Sequence, residues 1–310
     1  MHRIASLLPS ATEIICALGF EAELVGRSHE CDYPSSVARL PVLTSPKFNP
    51  EGTSAEVDQR VRKILADALS VYRVDTELLR RVKPDVIVTQ SQCEVCAVNI
   101  RDVEQAAADW LDGPPPRIIS LAPYSLDDVL EDIRRVGEQL GVADRGAEVV
   151  DGLRRRMADI QKQAAETDRR PTVACIEWLE PLMAAANWMP EMVVMAGAIN
   201  LFGASGQHSP RMEFPDLLEK DPDVIILMPC GFNMDRTASE LSVLSNKPGW
   251  DQLKAVRDHR VYSSDGNQYF NRPGPRIAES LEILAEILHP QTFHFGHEGI
   301  GWRRLSPFWR

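Results

Sequence analysis

The chain has 310 residues, 44% of them hydrophobic and 25% charged, with a net charge of −11. This is ordinary globular composition, long enough for two domains, and the acidity argues against a nucleic-acid partner held through phosphates. No apolar run approaches the ~18 residues of a membrane helix. With Met1 as the native start there is no apolar leader before the first strand, so a cytoplasmic protein is expected. Six cysteines scattered over a chain of this size read as thiols rather than disulfides.

Taken in chain order, the first half alternates strands and helices. Residues 3–7 form a short apolar strand. Pro9 to Glu13 opens a helix, with Ser10 as N-cap and Glu13 completing a capping box, and Gly19 ends it. Residues 24–27 are a second strand, running into His29-Glu30-Cys31-Asp32-Tyr33-Pro34. Val57, Val61, Ile64, Leu65 and Leu69 repeat at helical spacing and predict a helix over 54–70. Thr76 to Val82 is another helix. Pro84-Asp85 introduces the β-branched run Val86-Ile87-Val88-Thr89, a buried strand, and residues 118–121 close this half.

Residues 125–166 read as one long helix, lightly interrupted at Gly141. The second half restarts with a strand over 172–178. Helices are predicted over 191–198 and 214–220, and a strand over 224–228. The preceding Pro222-Asp223 echoes Pro84-Asp85, a weak internal repeat. A strand over 260–263 and a helix over 275–288 follow. The tail, 291–310, holds Phe293, Phe295, Trp302, Phe308 and Trp309, too much aromatic surface to float free. The organisation predicted is an N-terminal α/β lobe (1–124), a connecting helix (125–168), a C-terminal α/β lobe (169–290) and the tail (291–310).

The segment Gln90-Ser91-Gln92-Cys93-Glu94-Val95-Cys96 lies just past the end of a strand, where open α/β sheets bind ligands. Cys93 and Cys96 have CxxC spacing. They supply two of the four ligands a structural zinc wants, with Cys31, His29 or His208 as candidates for the rest. A redox dithiol is a second reading, because a helix is expected to start near Asn99. Packing of the thiols as small apolar groups is a third. No nucleophile elbow, P-loop or dinucleotide fingerprint occurs. The acidic run at Asp127, Asp128, Glu131 and Asp132 reads as a solvated helix face.

Five pieces in order carry a resemblance: residues 3–13; Val25-Gly26 with Cys31-Asp32-Tyr33-Pro34; Leu79 with 83–88; 221–226; and 262–276, ending Arg272-Pro273-Gly274-Pro275-Arg276. With them the chain resembles, over residues 3 to about 289, the substrate-binding proteins of cobalamin and iron-siderophore ABC importers, the cobalamin-binding type most closely. The resemblance implies a class III periplasmic-binding-protein-like fold: two α/β lobes, one connecting helix and a ligand cleft between the lobes. It implies a corrinoid such as cobalamin, or a related metal chelate, as ligand.

Carried onto this sequence, the resemblance places His29, Glu30, Cys31, Phe48, Gln90, Gln92, Glu177, Trp178, Trp188, His208, Asp265, Tyr269, Phe270 and Arg272 at the ligand. Trp188, Tyr269 and Phe270 are the candidates for stacking on a flat macrocycle. His208 is the candidate for a cobalt or other metal through neutral imidazole. Three departures stand out: no secretion signal, which makes an ABC permease an unexpected partner; an inserted helix around Gly52 to Val71; and the Cys93/Cys96 loop. A cytosolic enzyme using the same cleft, with zinc or iron or the thiol pair, is the alternative. A small-molecule ligand is the expected partner, and a homodimer stays open.

Overall fold

The computed structural model describes residues 2–66, 71–91, 102–104 and 114–305. It divides into two compact units. The first comprises Met1–Gly52, Glu56–Pro123 and Asp127–Asp151, the second Thr53–Ala55, Tyr124–Leu126 and Gly152–Arg310.

The first unit is built on a four-stranded parallel sheet in the order β2 (Leu24–Gly26), β1 (Ile4–Ser6), β5 (Val86–Gln90), β6 (Arg117–Leu121). Every residue of β5 is buried, which is why its sequence is a continuous apolar run and not an alternating one. Ala5, Leu7, Leu43, Leu79, Ile87 and Val103 form its core. Gly26 lets the Leu43 side chain pack close, since a Cβ there would lie 2.5 Å from Leu43 Cδ1.

The capping box expected at Ser10 and Glu13 is not formed. Helix α1 runs Pro9–Ala17 with Leu8 as N-cap and no side-chain cap, and Ser10 and Glu13 are buried inside it. Proline at the first helical position sets the start by its fixed φ, so Ser10 falls two residues past the cap position, Leu8. Gly19 does end the helix, at φ +91°.

Helix α2 spans Ser54–Ala66 within the predicted 54–70. A small antiparallel pair, β3 (Thr44–Pro46) and β4 (Tyr72–Val74), brackets it. Neither strand was legible: Thr44–Pro46 holds Ser and Pro, and Tyr72–Val74 is only three residues long, too short for an alternating pattern. The ladder is extended by backbone bonds from Lys47 N to Val71 O and from Asp75 N to Leu43 O, both 2.8 Å.

The single helix expected over 125–166 is two. Helix α3 (Thr76–Val82) precedes β5; after β6 come α4 (Leu126–Gln139) and α5 (Ala143–Ala165). Gly141 at φ +79° breaks them apart, a conformation that only glycine adopts freely. The turn is tight: a Cβ on Gly137 would lie 3.0 Å from Gly146 Cα. The unit division falls inside α5.

The second unit carries a six-stranded mixed sheet in the order β12, β11, β10, β7, β8, with β9 also paired to β7. Strands β7 (Thr172–Trp178), β10 (Val224–Leu227) and β11 (Val261–Ser264) are parallel; β8 (Met183–Ala184) and β12 (Trp302–Arg304) run antiparallel; β9 is Ile199–Asn200. Helices α6 (Met189–Met195), α7 (Phe214–Lys220), α8 (Met234–Ser239), α9 (Ser242–Ser245), α10 (Lys254–Arg257) and α11 (Ile277–Leu288) connect and cover it.

The sequence echo has a structural counterpart. Lys83 and Asp221 end their helices in the left-handed region, at φ 46° and 39°. A proline follows, and then an aspartate that caps the neighbouring strand. Asp85 accepts from the backbone of Arg3 at 3.0 Å and Asp223 from that of Thr172 at 2.9 Å.

The tail docks as sheet. Strand β12 pairs with β11, and Phe293, Trp302 and Leu305 are buried. Its polar anchors are two buried glutamates of α11. Glu286 accepts from Gly296 N (2.6 Å), His297 N (3.2 Å) and Trp302 Nε1 (2.8 Å). Glu282 lies 2.8 Å from His297 Nε2 and takes both arms of Arg156, at 2.5 and 2.7 Å. Phe308 and Trp309 lie outside the described residues.

Candidate functional site

Several candidate residues sit just past the ends of parallel strands, where open α/β sheets bind ligands. In the first unit the loop after β2 brings Ser28 and His29 to Thr44, the first residue of β3. Thr44 Oγ1 lies 2.8 Å from His29 Nδ1, 3.1 Å from His29 N and 3.1 Å from Ser28 Oγ. The His29 ring also packs on Tyr72, with centroids 5.2 Å apart. Burial, assisted by Arg27, lowers the His29 pKa and favours the neutral ring. Glu30 accepts from the Tyr72 hydroxyl at 3.1 Å. Cys31 is buried, its Sγ 3.0 Å from Thr12 Oγ1.

Tyr72 is a residue that reading the sequence missed. Its place in β4, directly across the small ladder from Pro46, is visible only once the register is known. Phe48 is half-buried just after β3. Gln90 ends β5 and is buried. Gln92, Cys93 and Cys96 lie outside the described residues. Among the described residues no group of three His, Cys, Asp or Glu side chains is placed to hold a metal ion.

In the second unit β7 ends in Glu177 and Trp178. Glu177 accepts from Ser209 Oγ at 2.7 Å. Trp178 donates its Nε1–H to Glu180 O at 3.1 Å and packs edge-on to Phe232, centroids 5.2 Å apart. The Arg236 guanidinium lies 3.7 Å over the other side of that aromatic pair, on Phe232. His208 is exposed and meets Tyr124 edge-on at 5.3 Å. Ser209 and Phe232 were also missed. The signal for both was position: Ser209 adjoins His208, and Phe232 follows the end of β10.

Three stacking candidates are corrected. Trp188 is buried, and its Nε1–H donates to Phe270 O at 2.8 Å. Phe270 is fully buried at φ +57°, its backbone N–H held by Ser280 Oγ at 3.1 Å. Tyr269 is buried between Arg276, 5.2 Å from its ring, and His297, 6.3 Å away. The long segment 265–272 turns its side chains inward to satisfy its own backbone. Asp265, buried, accepts from Asn267 N (3.0 Å), Gln268 N (2.8 Å) and Gln268 Nε2 (3.3 Å). Asn271 Nδ2 donates to Met228 O and Gly266 O. Arg272, also buried, reaches Asn267 Oδ1 at 3.2 Å. Beyond its own bonds the loop is tied to the segment after β10, through Met228 O and Phe232 O, and to Ser280 of α11.

Glu177 is crowded by protein yet keeps partial solvent access. Burial pushes its carboxyl up from 4.5 to about 6, against the opposing hydrogen bond from Ser209. A folded-state value above the unfolded one means that the native state holds its proton more tightly. The resulting stability is full below about pH 4.5 and is lost as pH rises through about 6. At ~1.4 kcal/mol per unit, the ionised carboxylate costs about 2 kcal/mol at pH 8. Glu177→Gln removes that term, so its stability relative to the parent is expected to rise by about 2 kcal/mol between pH 4 and pH 8. Urea unfolding at the two pH values measures it; a pH-independent difference would refute the assignment.

The model of the periplasmic binding protein family matches residues 4–267. An uncharacterized ABC transporter substrate-binding lipoprotein of Bacillus subtilis is 23% identical, over 94% of this chain and 81% of its own length. A vitamin B12-binding protein of Vibrio cholerae is 22% identical, over 93% and 89%. Among solved structures, a periplasmic heme-binding protein from Roseiflexus sp. RS-1 superposes with a TM-score of 0.67 at 22% identity, covering 94% of this chain and 99% of that one. The periplasmic vitamin B12-binding protein of Vibrio cholerae does so with 0.63 at 22%, covering 93% and 96%. The expected class III architecture is the fold these structures share with the model. The chain belongs to the periplasmic binding protein family.

Proposed function

We propose that this protein binds a corrinoid, cobalamin or a close relative, through the strand-end loops, and holds it without chemical change. The observation that carries this reading is the length-wide match to vitamin B12-binding proteins, 93% of this chain against 89% of the relative from Vibrio cholerae. A similar match to a cobalamin-binding protein of Halobacterium salinarum, 22% identical over 94% of this chain, supports it from a distant lineage. In the second unit, Glu177 with Ser209 suits a ligand edged with hydrogen-bonding groups, and the Trp178 ring offers an apolar face beside them.

The test is calorimetric titration with cobalamin, cobinamide and haemin in turn. One-to-one binding of a corrinoid, accompanied by a change in its visible spectrum, is expected. Binding of haemin alone would replace the ligand class, and no binding of any of the three would overturn the reading.

A further inference from the structure

We propose that Glu177, pinned by Ser209, is a charge filter that admits ligands edged with amides and rejects those edged with carboxylates. The inference deepens the corrinoid reading and rests on it. Its basis is the inventory of donors and acceptors at the end of β7. The Ser209 hydroxyl spends its one proton on Glu177 Oε2, leaving only lone pairs outward. The Trp178 N–H is committed to Glu180 O, and the backbone N–H of Cys230 to Glu177 O at 3.2 Å. What this patch offers a ligand is therefore acceptors: the second Glu177 oxygen and the Ser209 lone pairs.

An amide N–H placed there gains a charge-assisted hydrogen bond. A carboxylate placed there meets like charge at a partly desolvated position, where repulsion is least screened. The environment of Glu177 sharpens the discrimination. The influences on its carboxyl are burial and the Ser209 hydroxyl, and no basic side chain among the described residues contributes. Two cations near the patch are engaged elsewhere: Arg236 lies 3.7 Å over the Phe232 ring, and Lys247 Nζ is 3.9 Å from Glu180 Oε2. Specificity of this kind is built by the repulsive element as much as by the attractive one.

The experiment keeps the ring constant and changes only its edge. Cobinamide carries amide side chains; cobyrinic acid carries carboxylates on the same cobalt corrin. Dissociation constants for both are measured at pH 8 with the full chain, its Glu177→Gln variant and its Ser209→Ala variant. The parent is expected to prefer cobinamide by about tenfold or more. Glu177→Gln keeps the hydrogen bond from Ser209 and loses a costly buried charge, so it folds, and its preference is expected to collapse toward unity. Ser209→Ala keeps the charge and is expected to keep most of the preference. A ratio unchanged by Glu177→Gln, or no preference in the parent, overturns the charge filter while leaving corrinoid binding in place. Binding of neither ring by the parent overturns the corrinoid reading as well.

Discussion

Trp302→Ala is expected to lower the unfolding free energy by about 3–5 kcal/mol, the range for emptying a buried tryptophan site. Trp302 is 6% exposed, packs edge-on to Tyr262 at 5.5 Å and sits opposite Ser264 in the β11–β12 register. Its Nε1–H also satisfies one oxygen of the buried Glu286. Trp302→Phe keeps most of the volume and loses that bond, so a smaller cost of about 1–3 kcal/mol is expected. Urea unfolding followed by circular dichroism reads both. The same geometry bears on the tail as a whole. A detachable interaction module would leave the fold intact when removed, but this segment closes a sheet edge and contributes Phe293, Trp302 and Leu305 to the interior. Deleting residues 291–310 is therefore expected to cost at least as much as Trp302→Ala. A truncated chain with the parent's unfolding midpoint would contradict the role given to β12.

The second large effect is expected at Gly266, next to the buried Asp265. A Cβ there would lie 2.3 Å from Pro229 O and 2.7 Å from Met228 O. Both are backbone atoms, which cannot swing aside as a side-chain end can. Gly266→Ala forces apart the segments leaving β10 and β11, and overpacking of this kind costs about 1–3 kcal/mol. The disturbance reaches the candidate site directly, because Met228 N bonds to Ile176 O at 2.8 Å and Cys230 N to Glu177 O at 3.2 Å. Ligand affinity is expected to fall by about tenfold or more, the effect of a roughly 1 Å misplacement. Gly152→Ala is the control: it lies within α5 with nothing within 4 Å of its added Cβ, and helix propensity predicts a neutral or slightly stabilising change. Equal effects at the two positions would refute the steric argument.

The parallel strands were the most legible part of the chain. Val86 to Gln90 and Val224 to Leu227 are buried on both faces, so their composition alone declares them. The helices over Thr76–Val82 and Phe214–Lys220 were legible at their C-terminal ends, where Pro84 and Pro222 follow within two residues. What escaped was set by tertiary contact. Strands β3 and β12 exist because a partner strand is present, not because Thr44–Pro46 or Trp302–Arg304 favour extension. The break at Gly141 was visible as a glycine but not as a reversal, which depends on Gly137 meeting Gly146.

The site was legible by address and less so by role. Strand-end logic found His29 to Cys31 and Glu177 to Trp178, which keep polar contacts facing their loops. The resemblance put Trp188 and Phe270 forward as platforms for a flat macrocycle. The structure buries both, joined by an indole hydrogen bond, since a loop crossing a sheet end must satisfy its own backbone first.

The central claim is that the natural cargo is a corrinoid. Native mass spectrometry with metal analysis, on protein purified from its own host without added ligand, tests it most directly. The account predicts a corrinoid mass bound to the chain and cobalt at up to one equivalent. Haem, an iron chelate or protein-bound zinc in place of cobalt would contradict it.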